Sequence, residues 1–398
     1  MNPRKFSLTT IWQISIFIAV LAVGPSALAQ TEQVLWSFGR PHDGSSPSGG
    51  LVADSAGNLY GVTIVGGSAK VGTVYQLSPL SGGGGREAVL YSFTGNGSNA
   101  DGARPFGELV LDPAGNLYGS TTMGGPLNQG TVFELSPPAS PGGAWTETVL
   151  YTFQGGSDGS LPGAPIFDHA GNLYGVTAEG GNHGAAMCVT YGGCGTIFEL
   201  SPPDSPGGSW TETVLYDFLG DSDGALPEGS LAFDSTGNLY GTTSYGGGVG
   251  CPGNIGCGTV FELAPPPQPG GPWTETLLHT FQGPDGATPS VGLVVSTSGD
   301  LAGTTSSGGP NATGVVFGMS PPSHPGAAWG YQILWDFHND GAQPESPLTI
   351  GDGGVLFGAT YGGGTGNGTV FELKGSGCCT WNQAGFYAFP DCLGGTNG

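Results

Sequence analysis

Six copies of the pattern Asp-Gly-x-x-Pro punctuate the sequence, beginning at Asp43, Asp101, Asp158, Asp223, Asp285 and Asp340. A ring of carboxylates could attract Ca²⁺, because hard cations take oxygen ligands. Calcium needs roughly six to eight oxygens converging on one ion, and one aspartate per widely spaced unit does not converge. The same pattern arises when each aspartate accepts from the backbone of its own turn, glycine takes the positive φ and proline fixes the next residue. We expect that turn chemistry and no cofactor; Ca²⁺ binding is the competing reading.

Cys188 and Cys194 lie six residues apart, as do Cys251 and Cys257, at the same place in neighbouring units. Two local disulfides are the simplest pairing. Cys378, Cys379 and Cys392 follow near the C-terminus, where one is left over. No histidine or carboxylate accompanies the cysteines at zinc-ligand spacing. The histidines form no HExxH, and no serine sits in GxSxG. His42 and His338, next to Asp43 and near Asp340, are the one His/Asp grouping to watch. Carboxylates are numerous enough that distant loops could still assemble an acid/base pair. Tyr245 and Tyr361 stand in Gly-rich loops and are the candidates for stacking on a saccharide.

These residues hang on six copies of one unit. A strand-like motif runs VLWSF from Val34, VLYSF from Val89, VLYTF from Val149, VLYDF from Val214, LLHTF from Leu277 and ILWDF from Ile333. A second, AGNLYG, begins at Ala56, Ala114 and Ala170 and recurs in altered form at Thr236, Ser298 and Gly353. A third, GTVFEL or a relative, starts at Gly72, Gly130, Gly195, Gly258, Gly314 and Gly368. Each unit therefore predicts four short strands joined by Gly, Asn and Pro turns. Both faces of VLYTF carry large side chains, so each sheet needs a neighbour on either side. Tyr60, Tyr118, Tyr174 and Tyr240 fall within a strand and are expected in the core between sheets.

The repeats open with a fourth-strand motif and end with only three strands, at Leu373. Joining the two ends would complete a sixth sheet and close a ring. We therefore expect an all-β fold, a six-bladed β-propeller of four-stranded antiparallel blades, closed by the N-terminal strand joining the last blade. An open solenoid or a double sandwich is the competing architecture.

Arg4 and Lys5 precede an apolar run from Ile11 to Val23 and the small residues Ala27-Leu28-Ala29. That order is the signature of a secretory signal peptide, and the run is shorter than the roughly 20 residues that span a bilayer. The expected organisation is a signal peptide at 1–29, the propeller at 30–374 and a Cys-containing tail at 375–398. Loss of Arg4 and Lys5 leaves five basic against 30 acidic side chains. Such a charge repels phosphate backbones, so nucleic acid is not an expected partner, and no further stretch is long enough to cross a membrane.

The run LVLDPAGNLYGSTTMGG…GTVFELSPP followed by WTETVLYTF resembles the secreted bacterial tandem-repeat proteins known as GloVer-containing, or choice-of-anchor, proteins. The resemblance spans about residues 33–374 and implies a bacterial, exported protein. It carries over no catalytic residue. Members end in sorting or anchoring segments, whereas residues 374–398 have no apolar segment ending in a basic cluster. The Asp-x-x-Gly-Asn-Leu-Tyr turn is similar, more weakly, to hairpins of NHL-type and gluconolactonase-like propellers. The expected role is a non-catalytic binding scaffold, secreted or on the cell surface, for polysaccharide or an envelope protein. A lactonase, lyase or glycosidase with its centre at the channel mouth is the rival, and a structural spacer is a third reading.

Overall fold

A computed structural model of the chain describes residues 35–388, except 41, 81–83, 96–100, 141, 206, 249, 252, 254, 269, 325, 339–340, 364–367 and 376–380. The fold is all-β: six small antiparallel sheets arranged as the blades of a propeller. Blade 2 shows the plan, with strands Ala103–Leu111, Leu117–Met123, Thr131–Ser136 and Thr146–Thr152 paired in that order. The other blades repeat it, and blade 3 adds a short strand, Ser160–Pro162, beside its second. A cavity of 460 Å³ is lined by residues of all six blades, from Pro47 in the first to Pro347 in the last.

The AGNLYG signature folds as a hairpin held by its aspartate. Asp112 Oδ1 accepts from the backbone N–H groups of Ala114 and Asn116, and Oδ2 accepts from the Asn116 amide. The glycine after the tyrosine is fixed by packing: a Cβ at Gly175 would lie 2.5 Å from the Phe198 ring. Threonine pairs bond across the centre of the blade, Thr121 to Thr131 at 2.8 Å and Thr177 to Thr196 at 2.9 Å. These hydroxyls are buried, so each needs its partner.

Blades are joined side chain to side chain. The last phenylalanine of one fourth strand stands edge-on against the third-strand aromatic of the next blade. Phe93 meets Phe133 at 5.1 Å, Phe153 meets Phe198 at 5.2 Å and Phe218 meets Phe261 at 5.3 Å. Around these contacts lie five buried apolar clusters, one at each seam from blades 1/2 to blades 5/6. Tyr60, Tyr118, Tyr174 and Tyr240 are buried in them, as their place within a strand predicts. Burial of one such side chain contributes roughly 1.5–3 kcal/mol, and the neighbouring blade is what makes that burial possible.

Closure departs from the expectation. Blade 6 consists of Thr349–Ile350, Leu356–Thr360, Thr369–Gly375 and Trp381–Ala388. Its fourth strand is therefore supplied by the C-terminal tail, with Phe386 opposite Phe371, and not by the N-terminal segment, of which residues 35–38 are described. Residues 35–38 form no strand, yet Phe38 meets Tyr75 at 4.9 Å, the same contact that ends the other fourth strands. The N-terminal segment pins the seam while the tail fills the sheet. The physical reason is proximity: a tail returning through a short loop costs less closure entropy than a segment from the other end of the chain. The signal was present in the sequence, since Trp381, Tyr387 and Phe389 repeat the spacing of Trp145, Tyr151 and Phe153. The seam between blades 6 and 1 leaves one third-strand valine open. Val370 is 42% exposed where its counterpart Val132 is 0% exposed.

Candidate functional site

The lead-in loop of each blade and the loop between its second and third strands share one face of the ring. Backbone bridges join them, Ala225 to Tyr245 in blade 4, Ala287 to Ser307 in blade 5 and Ala342 to Gly362 in blade 6. Both sets of sequence candidates, the aspartates and the loop tyrosines, belong to this face.

The described aspartates of the Asp-Gly-x-x-Pro loops tie the end of one blade to the start of the next. Asp101 is 1% exposed and accepts from the Tyr91 hydroxyl at 2.8 Å, from the Thr94 hydroxyl and from the backbone N–H of Thr94 and Gly95. Asp158 takes Tyr151 and the Gln154 N–H; Asp223 takes Tyr216 and the Leu219 N–H. In blade 5 a histidine replaces the tyrosine, and His279 Nε2 lies 2.9 Å from Asp285 Oδ2. Burial disfavours the charge on Asp285, but the His279 contact and the Gln282 N–H outweigh it and hold the carboxyl below its ordinary value. Asp43 accepts from Gly39 N–H. Asp340, the expected neighbour of His338, lies outside the described residues, as do Cys378, Cys379 and Cys392. Among the described residues no three His, Cys, Asp or Glu side chains converge as a metal-binding group.

The two disulfides form as the spacing predicts, Cys188 with Cys194 and Cys251 with Cys257. They clip the second-to-third loops of blades 3 and 4. Within the first clip the chain turns through a short helix, Ala186–Tyr191, ended by Gly192 in the left-handed conformation. The sequence predicts no helix here, and six residues are too few for propensity alone to hold one. Between the clipped loops lies a groove of 610 Å³ whose walls include Met187, Thr190, Asp221, Ser222 and Ile255. Tyr191, which follows the groove residue Thr190 in the chain, lies nearly parallel to Tyr245, ring centres 5.9 Å apart and planes 15° from each other. Tyr245 is half-buried and Tyr191 is the more open of the two.

Tyr361 does not join them. It follows directly on the second strand of blade 6, one position earlier in the repeat than Tyr245, and is 74% exposed. Its counterpart in blade 4 is Ser244, whose hydroxyl bonds the channel residue Glu228 at 2.9 Å. Tyr361 therefore holds a place near the channel, two blades away from the groove. Tyr191 escaped sequence reasoning because it lies in the disulfide loop, outside every repeated motif.

The central cavity carries Glu108, Glu228 and Glu345 together with Ser48, Ser230 and Ser290. Burial pushes the carboxyl of Glu108 above its ordinary value. Burial does the same to Glu228, offset in part by the Ser244 hydroxyl. Glu228 and Glu345 follow the repeated proline directly, whereas Glu108 sits two residues further on, so no single repeat phase announces the group.

Sequence comparison assigns this architecture to a lineage. The profile of the Gloeobacter/Verrucomicrobia repeat matches residues 23–189 and again residues 187–389. The chain belongs to the Gloeobacter/Verrucomicrobia repeat family. No curated protein matches the sequence. Among solved structures, the periplasmic gluconolactonase of Pseudomonas aeruginosa is 15% identical over 85% of each chain, with a TM-score of 0.53. A luciferin-regenerating enzyme is 14% identical, covering 84% of this chain and 93% of its own, with a TM-score of 0.50. A Thermus thermophilus protein described as a putative oxidoreductase, glucose dehydrogenase, is 17% identical over 84% of this chain and 98% of its own, also with a TM-score of 0.50. At this identity the likeness shows a shared fold and nothing about chemistry.

Proposed function

We propose that this Gloeobacter/Verrucomicrobia repeat protein is an exported, non-catalytic propeller that binds polysaccharide at the groove between blades 3 and 4. The observation that carries the reading is the stacked Tyr191–Tyr245 pair, whose Tyr191 directly follows the groove residue Thr190. An aromatic ring offers its face to the C–H face of a sugar, and Thr190, Asp221 and Ser222 supply hydroxyl and carboxylate partners beside it. The two disulfides stiffen both loops, so little ordering remains to oppose binding. The bridges and the apolar leader support export.

The test is a glycan array followed by titration calorimetry with the best oligosaccharide. Tyr191→Ala and Tyr245→Ala are expected to weaken binding about tenfold each, about 1.4 kcal/mol. Unchanged affinity in both variants refutes the groove as the site.

One observation favours the rival, an enzyme with its centre in the channel: Glu108 and Glu228 line one cavity and are both harder to ionise than free carboxyls. A carboxyl that burial makes harder to ionise is a candidate general acid. Turnover in a lactonase, lyase and glycosidase panel that disappears in Glu108→Gln or Glu228→Gln would establish it in place of the scaffold.

A further inference from the structure

The groove between the clipped loops of blades 3 and 4 is walled mostly by hydrocarbon. Ala185, Ala186 and Met187 come from the first loop and Ile255 from the second, with Gly220 between them. A Cβ at Gly220 would collide with Sγ of Cys188, so the buried bridge packs against this backbone and excludes a side chain there. Among the described wall residues three carry polar side chains, Thr190, Asp221 and Ser222. Thr190 already donates to the carbonyl of Ala186 at 3.3 Å, which leaves Asp221 and Ser222, both exposed. The volume, 610 Å³, is in the range that holds a small-molecule ligand.

This wall chemistry discriminates among glycans. An unsubstituted hexose presents hydroxyls on every edge. Set against Ala185, Ala186, Met187 and Ile255, those hydroxyls give up water and find no partner, which opposes binding. A methyl group in the same place gains from burial. Charge narrows the choice further. Asp221 is the one ionisable side chain among the described wall residues, and the formal net charge of the chain is −23. A uronate is therefore repelled, and an uncharged sugar is not. A free amino sugar can pair with Asp221 but gains nothing from the apolar walls.

We propose that the groove selects an uncharged, acetylated glycan. The acetyl methyl packs on Ala186, Met187 and Ile255, and the acetyl carbonyl accepts from the Ser222 hydroxyl. The stacked Tyr191–Tyr245 pair, next to Thr190 in the chain, takes the face of the sugar ring. An N-acetyl amide and an O-acetyl ester share this chemistry. The inference names the ligand class of the polysaccharide-binding reading and rests on it.

The experiment is calorimetric titration of the full chain with paired ligands. Chitohexaose, N-acetylated on every ring, is compared with cellohexaose, which has the same backbone linkage and no acetyl group. O-acetylated glucomannan oligosaccharides are compared before and after mild alkali, with the glucosamine hexamer and trigalacturonate as charged controls. The acetylated member of a pair is expected to bind roughly tenfold tighter or more, the discrimination that one apolar group in a pocket commands. Preference for chitohexaose assigns the amide and loss on alkali treatment assigns the ester; either supports the proposal. Ile255→Asn puts a polar group on the apolar wall and should abolish the preference, whereas Tyr245→Ala should weaken both members of a pair alike. Ala186→Ser, at an exposed position, should reduce the preference in the same direction, and circular dichroism verifies that both wall variants fold. Equal affinity within both pairs, or a charged control binding as tightly as the acetylated ligands, overturns the acetyl selection and spares the polysaccharide reading. So does a preference that survives both Ile255→Asn and Ala186→Ser. Binding of none of these glycans refutes both.

Discussion

Raising the pH from 4.5 to 7.5 should destabilise this protein, and three repeated glutamates allow the size of the effect to be worked out. Glu147, Glu212 and Glu275 occupy one repeat position in the fourth strands of blades 2, 3 and 4. In each, Oε1 is buried with no donor among the described residues. Burial, and then the charge of Asp101, Asp158 and Asp223 respectively, pushes each carboxyl from 4.5 up to about 7. In the unfolded chain these groups ionise near 4.5; in the folded chain they keep their protons to about 7. Between those values the native state binds more protons than the unfolded state, so stability falls as pH rises and the loss is complete above about 7. Moving a carboxyl from 4.5 to about 7 corresponds to about 3.4 kcal/mol per group. The side chains are only part-buried, and halving for solvent screening leaves about 1.7 kcal/mol each, or about 5 kcal/mol for the three. Urea unfolding from pH 4 to 8 measures this directly. The triple variant Glu147→Gln/Glu212→Gln/Glu275→Gln should flatten the slope and be more stable than the parent at pH 8. A parent whose stability rises through that window, or a triple variant that keeps the full slope, would refute the reasoning.

Four further outcomes are expected. Truncation after Gly375 removes the closing strand of blade 6 and should lower the urea midpoint far more than deletion of residues 31–36, which spares Phe38. Replacing Asp101 by Ala strips a buried cluster of donors of its acceptor and should cost about 3 kcal/mol, read by thermal unfolding. Treatment with EDTA should leave the melting temperature unchanged, because each described lead-in aspartate is engaged by its own turn; a fall restored by Ca²⁺ would favour the cation ring. Replacing Cys188 and Cys194 by Ser opens a short loop and should cost about 2 kcal/mol, with the Tyr191 platform loosened and glycan affinity reduced.

The channel and the groove differ in how they depend on the repeat. The groove arises where blades 3 and 4 break regularity with disulfide-clipped loops. A departure from repetition marks the proposed groove.

Local chemistry was legible in the sequence. The period of VLYTF, AGNLYG and GTVFEL determined four strands per blade, six blades and the turn between the first two strands, because each depends on residues within a few positions of one another. The disulfides were legible for the same reason. What the tertiary structure alone decided is which segments meet across the ring: that Trp381–Ala388 rather than residues 34–38 lies beside Phe371, that Tyr191 stacks on Tyr245, and that Glu108 joins Glu228 and Glu345 in one cavity. Two segments carried the fourth-strand pattern and one edge could accept a partner. Sequence pattern scores both alike; chain closure and packing across a seam distinguish them, and those are properties of the assembled ring.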